Sequence, residues 1–116
     1  MPRVRLSFAM LWVWLCLPLS ALAGVTEGAN WLATQQNPDG SFGNTTTSLA
    51  TPVQTTTEAL RAYQALGQQT PSVYVPALGY LNSDTEANTE FLARKILVNV
   101  PAGGNVTALI NALVHC

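Results

Sequence analysis

The residues able to do chemistry are few and lie far apart. The chain has 116 residues and a single histidine, His115, which stands beside Cys116, and its two aspartates are Asp39 and Asp84. A Ser–His–Asp arrangement would have to use His115 as its base, and zinc sites need three or four protein ligands. We therefore expect no catalytic residue, no bound metal and no cofactor in this chain.

The composition describes one small domain. Hydrophobic residues make up 48% of the chain, charged residues only 9%, and the net charge is −1. The length fits a single domain. Nucleic-acid binding usually depends on a clustered basic face, which five scattered cations do not supply, so we expect no nucleic-acid partner.

The first 23 residues have the layout of a secretory signal peptide. Arg3 and Arg5 precede an apolar run, and Ala21–Ala23 offers small residues before a cut at Gly24. An uncleaved membrane anchor is the alternative, but the apolar run is shorter than the ~20 residues of a spanning helix. We expect an exported chain, secreted or periplasmic, with no stable membrane span after cleavage. The domain is then 24–116.

The rest of the chain repeats a helical period. Apolar residues recur at spacings of three and four, and no stretch alternates for long enough to predict a sheet. Thr26, the capping boxes Thr51–Gln54 and Ser83–Glu86, and Asn105 are predicted helix starts. The sequence therefore predicts an all-α fold of about five helices, over 25–36, 51–67, 72–82, 83–98 and 105–114.

Four aromatic residues lie on the predicted helices. Trp31, Tyr63, Tyr80 and Phe91 fall at helical spacing, which is typical of core positions. A ligand cavity lined by these rings is the alternative, and we expect the core.

Polar residues gather between the first two helices. Asn37, Asp39 and Ser41 imitate the start of a calcium loop, but Thr46 stands where such a loop needs Glu. Asn-Pro-Asp-Gly is also a strong turn signal. We expect a turn here.

An internal similarity suggests a repeat. Gly28–Leu32 resembles Ala77–Leu81, and matching Trp31 with Tyr80 gives an offset of 49 residues. On that offset the first helix matches the third, and the second falls near the fourth. Such a pattern is typical of helical hairpins that bury their faces on one another.

The segment around the first turn resembles a known family. Its sequence GANWLATQQNPDGSFG, followed by the helix TTTEALRAYQALG, is similar to the Q-W motif of squalene and hopene cyclases and of the related protein prenyltransferase repeats. The resemblance implies an α/α toroid of stacked helical hairpins, here about two hairpins plus one helix. The structural-motif residues that it implies are Trp31, Gln35, Gln36, Asp39, Gly40 and Phe42.

The sequence departs from the family pattern at several positions. Phe42 stands where the family usually has Trp, Glu27 where it has a basic residue, and Asn82–Asp84 replaces the second motif. The acidic Asp cluster of the cyclases and the Asp/Cys/His zinc set of the prenyltransferases are not found in this sequence. We therefore expect an exported, non-catalytic helical-repeat scaffold or binding module. The alternative is the N-terminal part of an enzyme of this family with its catalytic residues outside this chain.

Two hairpins do not close a toroid, which takes about five to seven in the family resembled. We expect either remaining toroid segments on a longer chain or self-association through 106–114. A compact five-helix bundle that only shares the motif is the third possibility. An apolar small molecule is a further candidate partner.

Overall fold

The protein is described here by a computed structural model covering residues 24–44 and 46–116. Residues 1–23, with the predicted signal peptide, lie outside that range. Helices account for its regular structure, and within the described ranges the single extended pairing is a bridge between Gln36 and Phe42. The all-α prediction is confirmed. The helices are α1 over 24–34, α2 Pro52–Leu66, α3 Pro71–Ser83, α4 Thr89–Asn99 and α5 Thr107–Val114.

Helix α2 begins and ends as predicted. The hydroxyl of Thr51 accepts from the Gln54 N–H at 3.3 Å, and the Gln54 side chain accepts from the Thr51 N–H at 2.8 Å. Pro52 occupies the first helical position, where a missing N–H costs nothing. Gly67 ends the helix in the left-handed conformation, at φ 65°.

The predicted start of α4 is wrong. Ser83 is the last residue of α3, and its hydroxyl donates to the Tyr80 carbonyl oxygen at 2.8 Å. The hydroxyl therefore satisfies the end of one helix and cannot cap the next. The cap is Asn88, whose side chain accepts from the Phe91 N–H at 2.8 Å.

Two other predicted caps also differ. Thr26 is not the first residue of α1, because the chain is already helical at Gly24. Asn105 stands one position before the cap of α5, where its side chain accepts from the Thr107 N–H at 3.0 Å. The exact cap residue of a helix is hard to predict from sequence, because several neighbouring polar side chains compete for the same N–H groups.

Helices α2 and α4 lie side by side and run parallel. Three side-chain contacts join them. In each contact the two partners are separated by 34–36 positions in the sequence. Antiparallel helices would instead have partners whose separation changes steadily. The contacts are Gln54–Glu90 at 2.7 Å, Glu58–Arg94 at 2.9 Å and Gln64–Val98 O at 2.9 Å.

Helices α3 and α4 form an antiparallel hairpin. The amides of Asn82 and Asn99 exchange two hydrogen bonds, at 3.0 and 2.8 Å, and nearer the loop Lys95 pairs with Asp84 at 3.1 Å. The loop 84–88 has five residues, whereas the loop 35–51 before α2 has seventeen. An offset of 49 residues therefore matches the end of α1 with the end of α3. It does not match α2 with α4, because the loop before α4 is shorter than the loop before α2.

The core lies between α2, α3 and α4. Leu60, Ala77, Leu81 and Val98 are fully buried there, and Tyr63 is 2% exposed. Of the four aromatic residues predicted to be core, Tyr63 and Phe91 are buried and Tyr80 is partly buried.

Trp31 is not a core residue. Its side chain is 63% exposed, so that prediction is wrong. Helix α1 packs through Ala29, which is buried, and Leu32, which is partly buried. Trp31 lies at the border of the apolar helix face that contains Ala29 and Leu32. Periodicity alone does not decide whether a residue at that border faces the core or the solvent.

Helix α5 packs on α4 without burying any residue completely. Ile110 and Val114 of α5 are 45% and 71% exposed, and Leu97 of α4 and Val100, which directly follows α4, are 55% and 57% exposed. We call these four residues the end face. Among the described helices none is long and apolar enough to cross a membrane.

Candidate functional site

The motif residues lie in the last turn of α1 and in the loop between α1 and α2, around one open surface groove. The groove has a volume of about 810 Å³. Four of the six motif residues predicted from the sequence line it: Trp31, Gln35, Asp39 and Phe42. Gln36 and Gly40 lie behind them, against α3.

Gln36 joins the loop to the second hairpin. Its Nε2 donates to the Gly40 carbonyl oxygen at 3.0 Å and to the Val73 carbonyl oxygen, in the first turn of α3, at 2.9 Å. Gln35 is exposed and its amide donates only to the Thr34 hydroxyl, at 3.0 Å. Of the two glutamines of the motif, Gln36 is therefore the one that binds α3.

Gly40 allows the loop backbone to touch α3. Its φ of 91° is a conformation that L side chains rarely adopt, and a Cβ there would collide with the backbone of Pro76. Pro76 lies inside α3 and lacks an N–H, so this stretch of helix has one fewer backbone hydrogen bond. The turn is therefore fitted to α3 by close backbone approach.

Asp39 holds the turn together as a charged group. The Ser41 hydroxyl donates to its carboxylate at 2.6 Å, and the Ser41 N–H donates to the same oxygen at 3.0 Å. These bonds favour the ionised form and lower the pKa of Asp39 below its ordinary value of 3.8. The carboxylate is thus negative at neutral pH.

The polar residues of the loop bind one another. The Asn37 amide donates to the Ser41 hydroxyl at 3.1 Å and to the Gly43 carbonyl oxygen at 2.9 Å. The arrangement is a self-supporting turn, as the sequence predicted. No group of three or more metal-binding side chains occurs within residues 24–44 and 46–116.

Phe42 fixes the loop to the core. Its ring is 2% exposed and lies 6.5 Å from that of Tyr63, at a tilt of 52°. Its N–H donates to the fully buried hydroxyl of Thr56 at 2.9 Å. The Tyr63 hydroxyl donates to the Ala29 carbonyl oxygen at 3.1 Å, and burial raises its pKa above 10.0. One cluster therefore ties α1, the loop and α2 together.

Two partners of the motif were missed by the sequence analysis. Thr56 was not identified from the sequence as a partner of the motif, although its hydroxyl accepts from the Phe42 N–H. Neither was Val73, whose carbonyl oxygen accepts from the Gln36 side chain. Thr56 belongs to the run Thr55–Thr57, and three threonines on a buried helix were the available signal, because a buried hydroxyl needs a partner.

The groove presents one exposed ring among polar groups. Trp31 lies on its wall, and Asn37, Asp39 and Asn44 contribute amide and carboxylate atoms. Of the residues that the structure describes, neither a lysine nor an arginine lines this groove.

Comparison of the chain with protein-family models, with curated proteins and with solved structures finds no match.

Proposed function

We propose that the chain is an exported helical-repeat scaffold that binds partners and is similar in plan to the repeats of squalene/hopene cyclases and protein prenyltransferases. The observation that carries the proposal is the parallel packing of α2 on α4, with partners such as Glu58 and Arg94 a nearly constant number of positions apart. Stacked repeats place equivalent helices parallel in this way.

The loop that carries the family resemblance also supports a repeat. Through Gln36 and Gly40 it contacts α3, the first helix of the following hairpin. A turn that only closed its own hairpin would have no need of such contacts. The pair α1–α2 and the pair α3–α4 are then two units of a partial toroid.

The end face is the surface on which a scaffold of this kind would continue. Its residues lie on α4, directly after α4 and on α5, and they are each 45–71% exposed: Leu97, Val100, Ile110 and Val114. Repeat proteins need a polar cap or another unit on such a face. We propose that another helical layer covers it, from remaining toroid segments or from a second copy of the chain.

Sedimentation of the purified chain tests this role. We expect self-association at high micromolar concentration, lost on combining Leu97→Gln with Ile110→Gln. Val75→Gln is the matched control, because Val75 is 62% exposed but lies on α3, which carries none of the end-face residues. A wild-type chain that stays monomeric, with the end-face variant equally soluble, contradicts self-association.

A second measurement tests the stack itself. In a Cys16→Ser, Cys116→Ser background, Gln54→Cys and Glu90→Cys should be joined by a short bismaleimide, because these side chains meet at 2.7 Å. Gln54→Cys with Val100→Cys is the mismatched control, at the opposite end of α4. Preferential linking of the mismatched pair would mean antiparallel helices and would overturn the repeat proposal.

A further inference from the structure

Among the described residues, all the positive side chains are in ion pairs, whereas several carboxylates are not. Every Arg and Lys within the described ranges forms an ion pair, and together they engage three of the six carboxylates. The ion pairs are Arg61–Glu58, Arg94–Glu58, Arg94–Glu90 and Lys95–Asp84.

Of the three remaining carboxylates, one lines the groove and a second lies on the helix that carries Trp31. The lining residue is Asp39, and Glu27 lies four positions before Trp31 on α1, which places these two side chains on the same helix face. The third, Glu86, belongs to the loop between α3 and α4. Within the described ranges, two carboxylates without an ion pair are therefore found on the helix and the loop that form the groove.

Two acceptor atoms of the groove are left over near Asp39. Asp39 uses one carboxylate oxygen for Ser41, and Asn37 uses its amide nitrogen within the loop. The second carboxylate oxygen of Asp39 and the amide oxygen of Asn37 accept no hydrogen bond from another residue within residues 24–44 and 46–116. A ligand that uses these two atoms donates hydrogen bonds to them, and one that also contacts Trp31 offers a surface to an indole ring.

We infer that this groove binds an arginine side chain of a partner peptide, with the guanidinium against Trp31 and its N–H groups directed to Asp39. A guanidinium is planar, stacks on indole rings and donates to carboxylates through two N–H groups at once. An ammonium ion lacks the flat face, and an anionic ligand is repelled by both carboxylates. Glu27 adds a second negative charge on the helix that carries Trp31.

This inference rests on the proposed binding role, of which it names the partner, but it needs neither the end face nor further repeats. The probe is the capped peptide acetyl-Gly-Arg-Gly-Arg-Gly-amide. Its control is the same peptide with citrulline, which has the shape of arginine without the charge. With Trp12→Phe and Trp14→Phe, Trp31 is the sole tryptophan of the full chain and its fluorescence reports the groove.

The arginine peptide should change the emission of Trp31 saturably, and the citrulline peptide should bind about tenfold more weakly, because charge-assisted hydrogen bonds are lost. Glu27→Gln and Asp39→Asn together should weaken arginine binding by a similar factor, and each should do so alone to a smaller extent. Glu86→Gln removes the same charge outside the groove and should leave binding unchanged.

Three results would overturn the inference. They are equal binding of the citrulline peptide, an effect of Glu86→Gln as large as that of Glu27→Gln, and no change in Trp31 emission at millimolar peptide. Glu27→Gln keeps the test valid if Asp39→Asn disturbs the turn, because Glu27 is exposed on a helix. If the chain is monomeric and binds the peptide, self-association through the end face is contradicted and arginine binding in the groove is still supported.

Discussion

The Gln36 side chain donates a hydrogen bond to the Val73 carbonyl oxygen at 2.9 Å and so connects the first hairpin to the second across 37 positions of sequence. The same amide nitrogen also donates to the Gly40 carbonyl oxygen at 3.0 Å. One side chain therefore closes its own turn and fixes that turn against α3. This double contact explains why a polar residue is partly buried at the end of α1.

Gln36→Ala should lower the free energy of unfolding by about 1–2 kcal/mol, because two partly buried carbonyl oxygens lose their donor. Gln35→Ala is the matched control. Gln35 is exposed and bonds only Thr34, so its loss should cost less than about 0.5 kcal/mol. Urea denaturation followed by circular dichroism measures both values. Equal losses for the two variants would mean that the bridge to α3 does not contribute.

Phe42→Ala should be among the most destabilising single changes, at about 3–5 kcal/mol, because the ring is 2% exposed and its removal leaves a cavity beside Tyr63. Trp31→Ala should cost less than about 1 kcal/mol, since 63% of that side chain is already in water. Thermal and urea unfolding of the two variants make the comparison. A larger loss for Trp31 would place it in the core after all.

Phe42 and Trp31 show which features of the structure could be predicted from the sequence and which could not. Helical period and turn chemistry were enough to predict α2 to within a residue and the turn at Asn37–Gly43. They could not decide whether Trp31 faces the core or the solvent, because that depends on how α1 packs on α2. Phe42 lies outside any periodic segment, so the helical period could not predict that its ring is buried against Tyr63.

Polar contacts between helices were the least predictable part of the structure. Arg94 pairs with Glu90 four positions earlier on the same helix, which is a local contact, and also with Glu58 of α2. Lys95 pairs with Asp84 of the loop before α4. The pair with Glu58 depends on which helices become neighbours, and local sequence carries no information about that.

Gly40→Ala should destabilise the protein by about 1–3 kcal/mol, because the new methyl group meets the Pro76 carbonyl and the positive φ is unfavourable for alanine. Gly28→Ala should have the opposite sign. Gly28 lies within α1 with open space around it, and alanine favours a helix by up to about 1 kcal/mol over glycine. Denaturation midpoints measure the pair, and the prediction is wrong if both changes shift stability in the same direction.

The pKa of Asp39, measured by NMR titration, should lie below 3.8 and should rise in Ser41→Ala, because the Ser41 hydroxyl bond is the largest cause of its lowering. A group whose folded pKa is depressed stabilises the fold above its unfolded pKa. The contribution of Asp39 should therefore be present above about pH 4 and should be lost as the pH falls through the lower, folded value. An unchanged pKa in Ser41→Ala would contradict this account, and Ser48→Ala, in the same loop, is the control.

Asp84→Asn should lower the free energy of unfolding by about 2 kcal/mol or more, because it leaves the 5% exposed Lys95 ammonium without its carboxylate partner. The Asp84 carbonyl oxygen still accepts from Lys95, which limits the loss. Adding Lys95→Met should recover much of the stability, since an apolar chain in that site carries no unpaired charge. Arg61→Gln is the control, because its pair with Glu58 is half exposed and should contribute less than about 0.5 kcal/mol. If the double variant is less stable than Asp84→Asn alone, the buried ammonium does not depend on that carboxylate, and the α3–α4 hairpin relies on the Asn82–Asn99 pair instead.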